Sequence, residues 1–212
     1  MPKASFSNRR SRGRPAKYLG GQEDVRGLLL RVGCEEFAKR GFSATGVDCI
    51  LRRAKVAKGS FYHYFASKEA FAAELIEYYR LEILIKLKRC LEDEVLTPSA
   101  RLRAFVDLRV DEMEQSGFDS GCLAGVLSLE ASALPEGFRQ QLSDVFLSWQ
   151  VCFAQGIRAA QQAKEMPGHL NSEHLSAFFW MGWEGAVLRA SLQKSSEALR
   201  FFADTFFIRL CH

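Results

Sequence analysis

The sequence predicts an all-α protein: a three-helix head carrying a helix-turn-helix, then a larger helical body, about nine helices in all. Three observations carry this reading. Apolar residues recur at three- and four-residue spacings along most of the chain, with no strand-like alternation and no internal repeat. Two short helical segments joined by a tight turn occupy residues 45–65. Charge is also polarised along the chain. Residues 1–20 sum to +6 and residues 39–68 to +6, residues 21–38 sum to −2, and residues 69–212 hold −6 of the overall +4. A basic front on an acidic body is the footprint of a polyanion-binding head joined to a module with a different task.

Residues 1–20 form a basic, Pro- and Gly-broken arm, expected to be disordered in free solution. Within it, Arg12-Gly13-Arg14-Pro15 is similar to an AT-hook, which lays two arginines into a narrow minor groove. A basic tail giving only phosphate attraction is the alternative. Residues 21–66 are read as the DNA-binding domain. Its first helix, Asp24–Arg40, places Val25, Leu28, Leu29, Val32 and Phe37 on one face and ends at Gly41. The second, Thr45–Ala54, repeats Val47, Ile50, Leu51 and Ala54 at helical spacing, with the Thr45 hydroxyl as its expected N-cap. After the turn Lys55–Ala57, the third helix, Lys58–Phe65, turns Phe61 and Phe65 inward. Lys58, Ser60, Tyr62 and His63 are left outward, where they can reach phosphates or base edges, and Gly59 allows the DNA backbone to approach.

The ordered run Phe37, Gly41-Phe42, Thr45, Ile50, Val56, Lys58-Gly59-Ser60-Phe61-Tyr62-His63-Tyr64-Phe65 and Ser67-Lys68-Glu69 resembles the N-terminal signature of TetR-type transcriptional repressors. The resemblance implies a homodimer on double-stranded operator DNA, with Thr45, Lys58, Gly59, Ser60, Tyr62, His63 and Lys68 at the DNA surface.

Residues 67–212 are read as the effector-binding and dimerisation domain. Ser67-Lys68-Glu69 opens a helix to about Leu91. Thr97-Pro98, a hydroxyl cap before a first-turn proline, opens another to about Gln115. A turn at 116–121 precedes a helix over Cys122–Ala133. A long helix is expected over Pro135–Ala163, then one over Leu175–Leu192 entered through Asn171, and a last one from Ser195 or Ser196 to Leu210. The final two are apolar over most of their surface, as helices covered on two sides must be. One side suits the chain's own core and the other a second subunit, with Gly182 and Gly185 expected to allow close approach.

The stretches Gly121–Pro135 and Phe179–Ala186 resemble members of the same family that answer small carbonyl or carboxylate effectors. This implies release from the operator by a small molecule such as acrylate or another small carboxylate or electrophile. Cys122 is the leading effector-site candidate, because a thiol at a helix start is expected to have a lowered pKa. It equally suits a buried small apolar residue. Trp149, Trp180 and Trp183 fit either core or pocket wall. Glu184 among apolar neighbours requires a partner, for which Arg109 from another helix is a candidate. Two alternatives stay open: an electrophile or redox sensor acting through Cys122, and an architectural DNA-binding protein with no effector.

Six cysteines lack CxxC or Cys/His ligand spacing, so no metal or other cofactor is expected, and free thiols suit a reducing compartment. Ser60 and His63 have no orienting acid or oxyanion turn beside them, and no phosphate-cradling glycine loop occurs, which argues against an enzyme. Without an apolar run of about 20 residues or a signal peptide, the expected location is cytoplasmic.

Overall fold

Gly41 sets the shape of the head. It adopts φ 78°, ψ 177°, a backbone conformation that disfavours any side chain, and it kinks helix α1 (Val25–Ala44) before its last turn. The kink turns Phe42 inward against Phe37, with ring centroids 5.8 Å apart, and against Phe138, 6.0 Å away at the start of the body's long helix. The computed structural model of the chain describes residues 24–210, excepting the side chains of residues 209 and 210. The arm holding Arg12 and Arg14 lies outside the described residues.

Helices α2 (Val47–Ala54) and α3 (Lys58–Tyr64) follow, joined through Lys55 in the left-handed conformation. The expected N-cap at Thr45 is overturned. Thr45 is fully buried, and its hydroxyl donates 2.7 Å back to the Gly41 carbonyl, so it closes α1 while Gly46 precedes α2. Phe37, Phe61, Phe65 and Phe71 share the core of the head, and Phe71 comes from the next helix. The head thus borrows core from α4 (Lys68–Leu91), which is capped by the Ser67 hydroxyl accepting from the Ala70 amide.

The body continues with α5 (Pro98–Gln115), α6 (Leu123–Leu129), α7 (Phe138–Gln162), α8 (Ser172–Gln193) and α9 (Glu197–Asp204), which runs into a π-helical turn over Thr205–Leu210. The described residues contain helices and turns only. Two boundaries differ from expectation. The Cys122–Ala133 helix stops at Leu129, where Glu130 caps it and the chain turns. The helix expected from Pro135 starts at Phe138, because Gly137 sits at φ 89°. Asn171 caps α8 as its sequence position predicts, accepting from the His174 amide at 2.8 Å.

Helices α4, α5, α7 and α8 pack around one aromatic core in which Phe153 stacks on Phe179 at 4.2 Å and Trp149 lies 5.1 Å from Trp180. Gly182, expected to admit a second subunit, instead receives the Phe202 ring of α9 from its own chain. Gly185 faces open space. Among the described residues no helix is long and apolar enough to cross a membrane.

Candidate DNA interface and effector cavity

Two separate surfaces carry the candidate residues. On the head, Lys58, Gly59, Tyr62 and His63 are exposed along α3 and Ser60 is half-buried beside them. A β-carbon at Gly59 would meet nothing, so an approaching backbone finds clear space. Lys58 pairs with Asp48 of α2 at 3.2 Å in a solvated contact that a phosphate can replace. The inner face of the same helix is anchored by Phe61, which is fully buried.

Two expected members of the DNA surface point elsewhere. Thr45 is closed inside the head. Lys68 donates 2.6 Å to the Phe42 carbonyl with its ammonium 4.2 Å over the Phe42 ring, and burial pulls its pKa down. It fastens α4 to the α1 kink.

Under α3, Glu36 supports the head. It is buried and takes hydrogen bonds from Arg53 and, at 3.3 Å, from the Cys49 thiol. Burial alone would raise its pKa, but these donors and Arg40 hold it below the usual carboxylate range. Glu36 is not among the residues expected from sequence, although an acid beside the apolar face of α1 is the one local sign of it.

The body holds a cavity of about 300 Å³ at the junction of α1, α4, α5, α7 and α8 with the start of α6. All six expected effector residues line it: Arg109, Cys122, Trp149, Trp180, Trp183 and Glu184. The Trp149 indole donates to the Arg80 carbonyl at 3.2 Å and so belongs to the frame. Trp180 is different. Its Nε1 is sealed from solvent and has no hydrogen-bond partner among the described residues, and the same holds for Glu184 Oε1. Such atoms are costly when unsatisfied, and both belong to residues that line the cavity. The other Glu184 oxygen lies against Gly125, where a β-carbon would come within 2.3 Å. A side chain there would push the Glu184 carboxylate aside.

Arg109 comes from α5 and is bound to Glu112 one turn on. It shares the cavity with Glu184 without a direct hydrogen bond between them. Burial pushes the Glu184 pKa up to about 7, opposed by the Cys122 thiol and the Arg109 charge. Cys122 overturns its expectation. Burial and the adjacent Glu184 raise its pKa rather than lower it, so the thiol stays protonated, accepting at 3.8 Å from the buried Tyr79 hydroxyl. Desolvation outweighs the short helix behind it.

Tyr79, Glu82, Lys86 and Glu112 also line the cavity and were not foreseen, since on amphipathic helices they read as surface. Among the described residues no cluster of His, Cys, Asp or Glu could hold a metal.

Residues 29–75 match the family described as bacterial regulatory proteins, tetR family, and residues 98–206 match the tetracyclin repressor-like C-terminal domain. The chain belongs to the TetR family. This regulator is 42% identical to the transcriptional regulator AcuR of Cereibacter sphaeroides over 197 residues, covering 93% of this chain and 88% of that one. A more distant relative, the transcriptional repressor NemR of Escherichia coli, is 29% identical over 84% of this chain and 89% of that one. The crystal structure of a regulatory protein TetR from Rhodobacter sphaeroides superposes with a TM-score of 0.83 at 42% identity, covering 86% of this chain and 96% of that one. TetR-family regulators bind DNA through the helix-turn-helix and are not enzymes. The regulator's two surfaces are therefore a DNA-binding head and a cavity in the C-terminal helical body.

Proposed function

We propose that the regulator is a cytoplasmic homodimeric repressor that leaves its operator when a small carboxylate fills the body cavity. The observation that carries this is the cavity's chemistry. Trp180 Nε1 and Glu184 Oε1 are sealed and unpartnered, beside the Arg109 cation and inside aromatic walls. A small molecule with an apolar body and a carboxylate supplies an acceptor for the Trp180 N–H and an anion beside Arg109, which Glu184 can join only as a protonated donor. The resemblance of Gly121–Pro135 and Phe179–Ala186 to family members that answer small carbonyl or carboxylate effectors supports the same class.

On the DNA side, Lys58, Ser60, Tyr62 and His63 contact the operator, and Gly59 permits close approach. Arg12 and Arg14 add contacts from the arm. Thr45 and Lys68 support the head from within.

Dimerisation is supported by α8, where Phe178, Met181, Gly185, Leu188 and Leu192 fall on one stripe at alternating spacings of three and four, all exposed. Phe201 and Ile208 continue this apolar surface beyond α8. A homodimer would place two α3 helices in successive major grooves about 34–36 Å apart.

The test selects a palindromic duplex from a random library and measures its binding by anisotropy with and without acrylate. Acrylate is expected to weaken binding by about 5- to 150-fold, the range of allosteric coupling. Lys58→Ala combined with Tyr62→Ala is expected to weaken binding and flatten its salt dependence. Operator affinity unchanged by acrylate would reject the effector reading; unchanged binding in the double variant would reject the interface.

A further inference from the structure

The cavity contains more acid than base. Three cations line it, Arg31, Lys86 and Arg109, against four carboxylates, Glu35, Glu82, Glu112 and Glu184. Each cation already has an acidic partner. Arg31 meets Glu35 at 3.4 Å, Lys86 meets Glu82 at 2.5 Å and Glu112 at 2.8 Å, and Arg109 holds Glu112. Glu184 alone of the four acids makes no ion pair among the described residues, and its Oε1 is sealed without a partner. A carboxylate effector entering here brings a further negative charge beside an acid that has no ion-pair partner of its own. Two carboxylates in one enclosed site cannot both stay ionised at little cost, and they share a proton instead.

We propose that a carboxylate effector binds together with one proton, taken up by the Glu184 carboxyl, which turns toward the cavity and donates a hydrogen bond to the effector's carboxylate. The inference rests on the carboxylate reading above. The O–H bond on Glu184 is the only bond formed, and no covalent link to the effector arises. The indole N–H of Trp180 donates to the effector as well, so both orphaned atoms gain partners. Arg109 adds its charge from α5.

Titratable and charged groups face Glu184 from each neighbouring element. From α4 these are Tyr79, Glu82 and Lys86, from α5 Arg109 and Glu112, and from the start of α6 Cys122. From α1 they are Arg31, Cys34, Glu35 and Lys39, and from the turn before α6 Asp119, which is ion-paired with Lys194 and Lys39. Burial pushes the Tyr79, Cys34 and Cys122 pKa values upward, so all three remain neutral. Glu82 and Glu112 are held by Lys86 and Arg109, and Glu35 by Arg31 and Arg53. Glu184, raised to about 7, is charged in an appreciable fraction of empty sites at neutral pH. Binding raises it further. Effector affinity is therefore level well below pH 7 and falls above it, by about tenfold per pH unit for one linked proton.

Isothermal titration of the full-length dimer with acrylate, at pH 6 and pH 8 in two buffers of different ionisation enthalpy, counts the protons. The wild type is expected to take up close to one proton per cavity at pH 8 and few at pH 6. Glu184→Gln, which keeps a donor at the same position, is expected to take up none and to bind with pH-independent affinity. A binding heat at pH 8 that does not depend on the buffer overturns the inference, with or without the variant, and so does equal uptake by Glu184→Gln. A wild type that binds no acrylate at either pH sinks the carboxylate reading and the inference with it; binding without a proton sinks the inference alone.

Discussion

The Thr45 hydroxyl and the Gly41 carbonyl lie 2.7 Å apart in the interior of the head. Removing the donor would strand a buried acceptor, at a cost of about 1–3 kcal/mol. Thr45→Val is nearly isosteric, so it isolates that term. It is expected to lower urea-unfolding stability by this amount while leaving operator affinity within about twofold under conditions where the protein is folded. A loss of affinity without a loss of stability would return Thr45 to the DNA surface. The same logic of burial governs Cys122. A thiol at a helix start invites the idea of a reactive thiolate, but the desolvated position beside Glu184 reverses the shift.

At the scale of elements, α6 connects the cavity to the head. Its N-cap, Cys122, and its Gly125 line or touch the Glu184 site, and seven residues make up the helix between its caps. At its other end the Glu130 carboxylate accepts from the Ser43 amide at 2.9 Å and from the Ser43 hydroxyl at 2.7 Å. A β-carbon at Gly41 would come within 1.5 Å of Glu130, so the kink and the carboxylate are fitted to each other. A short rigid helix held at both ends transmits a displacement at one to the other. Glu130→Ala is expected to keep operator binding within about threefold but to reduce effector-induced release to less than about fivefold, below the usual allosteric range. Binding measurements with and without acrylate check this. Full release in the variant would remove α6 as the route of the coupling.

The head was legible because its evidence is local. Phe61 and Phe65 lie four apart, the turn is short, and Lys58 to His63 are consecutive in the chain. The candidate effector residues were legible as chemistry out of place, an acid and a cysteine among apolar neighbours. Tyr79, Glu112 and Glu130 were not, because each is ordinary on its own helix. Their roles depend on what other helices bring within reach. Cap competition explains Thr45: a hydroxyl between two helices can serve either, and the Gly41 kink delivered it to the earlier one.

For the whole molecule, the exposed α8 stripe of Phe178, Met181, Gly185, Leu188 and Leu192 runs beside Trp180, Trp183, Glu184 and Val187 of the cavity wall, and none of the five lines that cavity. Met181→Glu combined with Leu188→Glu is therefore expected to yield a folded monomer by sedimentation that still binds acrylate. The same variant is expected to lose high-affinity binding to a palindromic duplex, since a single head reaches one half-site. A dimer persisting in this variant would move the subunit contact off α8.

The chain has three tryptophans, Trp149, Trp180 and Trp183, and all of them line the cavity. No indole belongs to the DNA-binding head. The ultraviolet emission of the protein is thus a report from one place, with Trp149 and Trp180 close enough to share excitation at 5.1 Å. Any change in that emission when operator DNA is added, without effector, has travelled from head to cavity. By reciprocity it records the same coupling that release of the operator depends on. The regulator carries its own unlabelled optical gauge of allostery.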